Sequence, residues 1–134
     1  MEMEITCPGG ARIDAYFDSY VVKTDQPPSA GGEGSAPTPF ELFLASIGTC
    51  AGIFVVNFCR QRNIPTEDIR IHQEIIRDPD THMVSDIKLD IYLPPDFPAK
   101  YVQAAVRAAE LCTVKKHLAA PPKVEIEAHL GSET

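Results

Sequence analysis

Cysteine is the residue type in this sequence that most directly suggests chemistry. The chain has four cysteines, at positions 7, 50, 59 and 112. None of them forms a C-x-x-C pair, and no cysteine and histidine have the spacing of a zinc finger or ribbon, so we predict no metal site. A free cysteine is either a small buried hydrophobe or, as a thiolate, a centre that peroxides oxidise to a sulfenic acid. The secondary-structure elements that carry the four cysteines indicate which of these two roles each one has.

The segment that begins at Thr38 has a strong helix-start pattern. Thr38 suits the N-cap, Pro39 the first helical position and Glu41 the third, which together make a capping box with proline where helices favour it. The apolar run that follows predicts a helix that continues to Arg62 and ends before the Asn-Ile-Pro sequence at 63–65. At 1.5 Å per residue this helix would be roughly 36 Å long, which is long for so small a protein.

The predicted helix is apolar on every side, which allows three interpretations. It has no charge from residue 42 to residue 59, a length at the lower edge of what spans a bilayer. Ser46, Thr49 and Asn57 weaken a membrane span, and the flanks lack an aromatic belt and a clear positive side. The strands predicted on either side also need to share a sheet, so we predict no membrane span. The helix is then either a buried core helix or the wall of an active site.

Complete burial of this helix requires a second copy of the chain. A helix that is apolar all round is covered all round, and 134 residues provide too few other elements to cover it. Gly48 and Gly52 are four residues apart, with Ala45 and Ala51 nearby, and small residues at this spacing let another backbone approach closely. We therefore predict a homodimer in which the helix lies at or near the interface.

The remaining sequence alternates between strand and helix patterns. Residues 1–24 read as three short strands, and residues 25–38, rich in proline, glycine and serine, predict a long loop that does not divide the domain. The overall prediction is one α+β domain over 1–134 with the order β-β-β-α-β-β-α-β. After the central helix, the predicted elements are strands 69–77 and 86–93, a helix 99–112, a short helical turn at 113–118 and a strand 123–130.

Charge and composition exclude several classes of protein. The formal net charge is −7 and the sequence pI about 5.0, which argues against a nucleic-acid-binding protein because such proteins need a basic face. The first residues, MEMEIT, have neither the basic nor the apolar region of a signal peptide. We therefore expect a cytoplasmic protein, in which structural disulfides are rare.

Two stretches of the sequence together resemble a known family. TPFELFLASIGTCAGIFVVNFC, followed by AAELCTVKKHL, is similar to the OsmC/Ohr family of thiol-dependent hydroperoxide reductases, and most similar to its less characterised OsmC-like branch. The resemblance extends over nearly the whole chain, and the spacing of Cys50 and Cys112 is its most specific part. It implies an intertwined homodimer with two long helices at its centre and active sites at the subunit interface.

The resemblance also assigns roles to the cysteines. It implies that Cys50 attacks an organic hydroperoxide and becomes a sulfenic acid, that Cys112 resolves this to a disulfide, and that an external thiol or dithiol resets the pair. No cofactor is implied. Cys7 and Cys59 are expected to be packing residues, since Cys59, nine residues from Cys50, faces roughly the opposite side of the helix.

Cys50 needs a nearby positive charge to react as a thiolate. A thiol of pKa about 8.5 is only about 3% thiolate at pH 7, and the field of the distant helix N-terminus fades within a turn. The family's peroxidases carry an arginine in their N-terminal region that contacts the reactive thiol, and the resemblance places Arg12 in that role. They also carry a glutamate ten residues before the reactive cysteine, which orients the arginine.

Two positions depart from the family pattern. Phe40 stands ten residues before Cys50, where the family's peroxidases have glutamate, and Glu41 is the neighbouring candidate for a catalytic carboxylate. The capping box explains Glu41 equally well without catalysis. Thr113 follows Cys112 where the family often has proline. Both departures predict organic-peroxide reduction of less than the usual efficiency.

Three functions remain open on the sequence. The leading one is reduction of organic hydroperoxides. The second keeps the thiols but uses them as a thiol or persulfide carrier or as a redox sensor. The third is a non-catalytic homodimer that binds a small ligand between its subunits, with Cys50 as part of the lining. The four histidines, at positions 72, 82, 117 and 129, are expected to be surface or edge residues.

Overall fold

The computed structural model describes residues 1–131 and has the mixed α+β architecture that the sequence predicts. The chain forms two compact units, residues 1–49 and the residues from Cys50 onward, and the long helix begins in the first and ends in the second. The strands and helices are, in chain order, β1 (Glu4–Gly9), β2 (Arg12–Phe17), β3 (Tyr20–Thr24), α1 (Pro39–Arg60), β4 (Arg70–Arg77), β5 (Val84–Tyr92), α2 (Val102–Glu110) and α3 (Thr113–Ala119).

The first unit contains a three-stranded antiparallel sheet in the order β1-β2-β3. The two turns between these strands have a positive φ at Gly10 (59°) and at Asp18 (50°). Glycine adopts this conformation freely, and aspartate is one of the few other residues that tolerate it. The three short strands are therefore confirmed.

The loop after β3 is organised by one buried carboxylate, that of Asp25. Its oxygens accept hydrogen bonds from the backbone amides of Gln26 (2.7 Å), Glu33 (3.4 Å) and Ser35 (3.0 Å), and from the Ser35 hydroxyl (2.5 Å). Gly32 is needed here because a Cβ on it would lie 1.9 Å from the Gln26 carbonyl oxygen. The long loop that the sequence predicts is thus a folded structure with its own polar centre.

Helix α1 begins with the predicted capping box and is followed by a residue in the left-handed conformation. It ends at Arg60, two residues before the predicted boundary. Asn63 has a φ of 55°, its amide donates to the Arg60 carbonyl (3.2 Å), and the Ile64 amide donates to the Cys59 carbonyl (3.0 Å). This pair of bonds is a Schellman motif, which satisfies the last carbonyls of the helix.

One face of α1 is buried and the opposite face is exposed. Ile53, on the exposed face, retains 48% of its accessible surface. The buried positions recur every three or four residues, as expected for a single helix face; they are Leu44, Ile47, Ala51, Val55 and Cys59. The exposed positions along the same helix include Ala45, Thr49, Ile53 and Asn57. A single chain thus covers only one side of a helix that is apolar all round.

The second unit packs the C-terminal part of α1 against a two-stranded antiparallel sheet, β4-β5. The register pairs Ile71 with Ile91 and Ile75 with Ile87, so the apolar side chains of both strands lie on one face. A Cβ on Gly52 would lie 3.7 Å from Cδ1 of Ile71, an ordinary contact distance, so packing within the single chain does not require glycine here.

The core of the second unit is formed by residues from α1, α2 and the connection before α2. The buried members are Val55, Cys59, Phe97 and Ala105. Helix α2 is shorter than the predicted helix 99–112, because Ala99–Tyr101 form a 3-10 turn and the α-helix ends at Glu110. The short helical turn predicted at 113–118 is confirmed as α3.

The predicted strand at 123–130 is not a strand in this chain. Within residues 1–131 no strand pairs with it, and all of its residues are exposed. Its apolar side chains still alternate with charged ones, and Ile126 is 90% exposed. A strand needs backbone hydrogen bonds from a neighbour, and alternation alone does not supply them.

Candidate active site

Cys50 is a partly exposed thiol in the middle of α1. It is not bonded to another cysteine, and its exposure is intermediate. Residues three and four positions away lie beside it on the helix surface, so Ile53 and Phe54 are its neighbours toward the C-terminus. A small molecule that reaches this thiol therefore meets apolar side chains.

Cys112 lies between the two short helices and is almost completely buried, with 1% of its surface exposed. It is the N-cap of α3, and its backbone is extended, with φ −62° and ψ 148°. Its Sγ accepts a hydrogen bond from the Lys115 amide at 3.4 Å. Cys112 and Cys50 belong to the same compact unit, and both are free thiols.

The other two cysteines occupy opposite environments. Cys59 is completely buried in the core with Val55 and Phe97, as the sequence predicts for a packing residue. Burial raises the pKa of the Cys59 thiol above its usual value, an effect that the positive charge of Arg62 partly opposes. A raised pKa makes a thiol less reactive at neutral pH. Cys7, by contrast, is exposed on β1, so its prediction as a packing residue is wrong for the single chain.

Glu41 is engaged in the capping box of α1. Its Oε1 accepts from the Thr38 amide at 2.9 Å, and its own amide donates to Thr38 Oγ1 at 3.2 Å. The hydrogen bonds from Thr38 lower the pKa of the Glu41 carboxyl, so it is ionised at neutral pH. The capping prediction is confirmed, whereas a catalytic role for Glu41 stays a prediction.

Arg12 opens strand β2 and is exposed. Its Nε donates to the Gly9 carbonyl at 3.4 Å, across the β1–β2 turn. This long contact leaves most of the guanidinium donors available for other partners. Among the other cations, the exposed Lys115 and Lys116 belong to α3, and Arg60 ends α1. The role of Arg12 beside Cys50 stays a prediction.

Asp25 is the polar residue that sequence reasoning missed. It is 1% exposed, and its hydrogen bonds, with those from Ser35 first, lower the pKa of its carboxyl to about 2. The available signal was an aspartate at the end of a strand, followed by a segment rich in small residues whose free amides can converge on a carboxylate. This residue builds the loop before α1.

The sequence predicts neither a metal site nor a membrane span. In residues 1–131 no three His, Cys, Asp or Glu side chains are grouped so that they could hold a metal ion. The four histidines are exposed. By length and composition α1 is the one helix of this part of the chain that could cross a membrane, a test that core helices of soluble proteins also pass.

The chain is similar to one protein family and to several solved structures. The family model described as OsmC-like protein matches residues 32–127, more than half of the chain. No curated protein matches the sequence. Among solved structures, an osmotic stress induced and detoxification response protein from Psychrobacter arcticus is 22% identical, with a TM-score of 0.73 and 85% of each chain covered.

Two further similar structures have names that refer to organic hydroperoxides. The organic hydroperoxide resistance protein OhrB of Bacillus subtilis is 21% identical, with a TM-score of 0.52, 90% of this chain and 93% of the other covered. An organic hydroperoxide resistance protein OsmC from Legionella pneumophila is 20% identical, with a TM-score of 0.53, 88% of this chain and 89% of the other covered. At these identities the likeness shows a shared fold.

Proposed function

The chain belongs to the OsmC-like protein family, and from this premise we propose that it reduces organic hydroperoxides through a thiol cycle of Cys50 and Cys112. The observation that carries the proposal is the contrast between the two thiols. Cys50 is partly exposed in the middle of α1, whereas Cys112 is buried in the same unit. A thiol that reacts with peroxide must be accessible, and a resolving thiol is often close to it.

The proposed cycle has two oxidative steps. The Cys50 thiolate attacks one oxygen of the hydroperoxide, the O–O bond breaks, and an alcohol leaves after taking up a proton. Cys50 is then a sulfenic acid. The Cys112 thiol attacks its sulfur, a disulfide forms and water leaves. An external thiol or dithiol reduces the disulfide by exchange and restores both thiols.

The apolar neighbours of Cys50 support an organic peroxide as the substrate. Ile53 is largely exposed beside the thiol, and Phe54 is partly exposed. An alkyl or aromatic group that covers such side chains gains about 25 cal/mol for each Å² removed from water, and hydrogen peroxide has no such group. We therefore expect cumene or fatty-acid hydroperoxides to react faster than hydrogen peroxide.

A cation beside Cys50 is the second requirement. Apolar surroundings disfavour a thiolate, so the reactive form needs a compensating positive charge. We propose Arg12 for this role, because the family's peroxidases have an arginine in this region and, among residues 1–131, its guanidinium is held by a single long hydrogen bond, to the Gly9 carbonyl. Glu41 is held by Thr38, so we propose that it stabilises the start of α1.

The active form is proposed to be a homodimer. Two apolar features are exposed in the single chain: the face of α1 that carries Ile53, and the segment 123–130, in which Val124, Ile126 and Leu130 are all largely exposed. An exposed apolar surface of this kind is typical of an interface. Members of this family are soluble proteins, and we further propose a cytoplasmic location.

Thiol mapping after a single dose of peroxide tests the function. The reduced protein is treated with one equivalent of cumene hydroperoxide, free thiols are alkylated, and the cysteines are mapped by mass spectrometry. We expect loss of two thiols and a Cys50–Cys112 crosslink. Cys50→Ser should abolish peroxide consumption, and Cys7→Ser, which changes an exposed thiol outside the proposed cycle, should leave it unchanged.

Two results would contradict the proposal. Four free thiols without a sulfenic acid at Cys50 would show that peroxide is not the substrate. Peroxide consumption that survives Cys50→Ser would show that another residue reacts. A persulfide on Cys50 after treatment with a hydropersulfide, in a protein inert to peroxide, would support the carrier function instead.

A further inference from the structure

We propose that oxidation of Cys112 releases helix α3, so that the redox state of the thiol pair controls the structure of residues 113–131. This inference rests on the proposed disulfide between Cys50 and Cys112. It adds a conformational consequence that the peroxide cycle itself does not require.

The Cys112 sulfur already has a structural partner in the reduced protein. Its Sγ accepts the hydrogen bond of the Lys115 amide, one of the first amides of α3, which have no partner within the helix. The Cys112 carbonyl also accepts from the Lys116 amide at 3.0 Å. The conformation of Cys112 therefore determines how α3 begins.

A disulfide imposes its own geometry on that sulfur. The bond requires an S–S distance near 2 Å and a Cβ–S–S–Cβ angle near 90°, as a general property of disulfides. In the reduced protein both thiols are free, so at least one side chain must move for the bond to form. When the Cys112 sulfur turns toward Cys50, it no longer accepts the hydrogen bond of the Lys115 amide.

Of the two cysteines, Cys112 has the less constrained backbone. Cys50 lies in the interior of a helix of 22 residues, where hydrogen bonds on both sides fix its backbone. Cys112 is an extended residue between helices of nine and seven residues. We infer that the disulfide forms by displacement of Cys112, with loss of the α3 N-cap.

Helix α3 is poorly protected against the loss of its cap. A helix of seven residues is too short to be stable on its own, and the structure buries no residue within α3. The segment that follows, up to residue 131, is exposed. Loss of the cap should therefore unwind α3 and leave residues 113–131 more mobile in the oxidised protein.

The experiment forms the disulfide without peroxide, so that the two proposals can fail separately. The protein is oxidised with diamide, which takes two hydrogens from a pair of thiols as the disulfide forms, and crosslinking is verified by mass spectrometry. Amide hydrogen exchange is then compared between the reduced and the crosslinked protein. We expect exchange at Lys115 to accelerate about fivefold on crosslinking, the change that corresponds to the typical free energy of a lost cap.

Trypsin provides a second measurement, because Lys115 and Lys116 are both within α3. Cleavage after these residues should be slow in the reduced protein and fast in the crosslinked one. Cys50→Ser treated with diamide is the control and should behave like the reduced protein. In the absence of oxidant, Cys112→Ser should keep α3 intact, since serine is a good N-cap, and Cys112→Ala should accelerate exchange at Lys115.

The outcomes separate the two proposals. A crosslinked protein with unchanged exchange and unchanged cleavage at α3 would overturn the switch and leave the peroxide cycle intact. Failure of diamide to join Cys50 and Cys112 would overturn both the switch and the resolving role of Cys112. Crosslinking and release of α3 by diamide in a protein that does not react with peroxide would support the switch and overturn the proposed substrate.

Discussion

Replacement of Thr38 by alanine tests how α1 is held at its N-terminus. Thr38 Oγ1 accepts the Glu41 amide at 3.2 Å, and the Thr38 amide donates to Glu41 Oε1 at 2.9 Å. Thr38→Ala removes the first of these bonds and leaves the Glu41 amide without its acceptor. Loss of a threonine N-cap typically costs about 1 kcal/mol of folding free energy.

This free energy predicts a measurable change in the melting temperature. With about 2.1 cal/mol/K of unfolding entropy per residue, a chain of 134 residues has about 0.28 kcal/mol/K in total. A loss of about 1 kcal/mol then lowers the melting temperature by about 3–4 °C. Circular dichroism melts at one fixed protein concentration measure the shift, because the melting temperature of a dimer depends on concentration. Thr38→Ser keeps the hydroxyl and should melt close to the wild type.

Replacement of Glu41 by glutamine, at the other end of the capping box, distinguishes a capping role of this residue from a catalytic one. Glutamine serves at this position of a capping box as glutamate does, so Glu41→Gln should keep the melting temperature and the rate of peroxide consumption near wild type. A Thr38→Ala protein that melts with the wild type would refute the capping argument. A Glu41→Gln protein of normal stability whose activity falls by an order of magnitude would show that the carboxylate takes part in the reaction.

Three further changes follow from the structure. Asp25 has a native pKa of about 2, below its ordinary value near 4. The unfolded chain therefore binds its proton more readily, and the stability that Asp25 provides is present above about pH 4 and lost as the pH falls toward 2. Acid unfolding should show a stability difference between wild type and Asp25→Asn that shrinks across this window; a difference independent of pH would contradict the prediction. Gly32→Ala places a Cβ 1.9 Å from the Gln26 carbonyl oxygen and should lower the melting temperature. Ile53→Glu puts a charge on the exposed face of α1 and should convert the proposed dimer to a monomer in sedimentation experiments; a monomeric wild type, or a variant that stays dimeric, would argue against this interface.

Patterns with a local cause were the ones that the sequence could predict. The start of α1 depends on three neighbouring residues, Thr38, Pro39 and Glu41, and the structure has the predicted box. The strands of the hairpin β4-β5 were predicted at 69–77 and 86–93, close to their observed bounds. In the capping box, the hydrogen bonds join residues that are close in sequence. In the hairpin, a period of two residues places the apolar side chains on one face.

Features that depend on particular distant partners were missed. The environment of Asp25 requires the amides of Glu33 and Ser35, eight and ten residues away, to fold back over its carboxylate. No periodicity signals such a loop. The close approach predicted at Gly48 and Gly52 involves a second copy of the chain, so it stays a prediction. Within the single chain the Cβ position of Gly52 is 3.7 Å from Cδ1 of Ile71, an ordinary contact distance.

The exposed segment 123–130 and the exposed face of α1 have a common physical explanation. Both have the sequence pattern of buried elements, and both are uncovered in the single chain, as Ile126 and Ile53 show. An apolar side chain on an alternating segment is stabilised only when a neighbouring strand supplies the hydrogen bonds and a surface supplies the packing. If a second copy supplies both, the segment after α3 becomes part of the dimer as well as the part that oxidation of Cys112 would loosen. The proposed thiol cycle would then act on the stability of the assembly, and dimer dissociation should be faster in the crosslinked protein than in the reduced one.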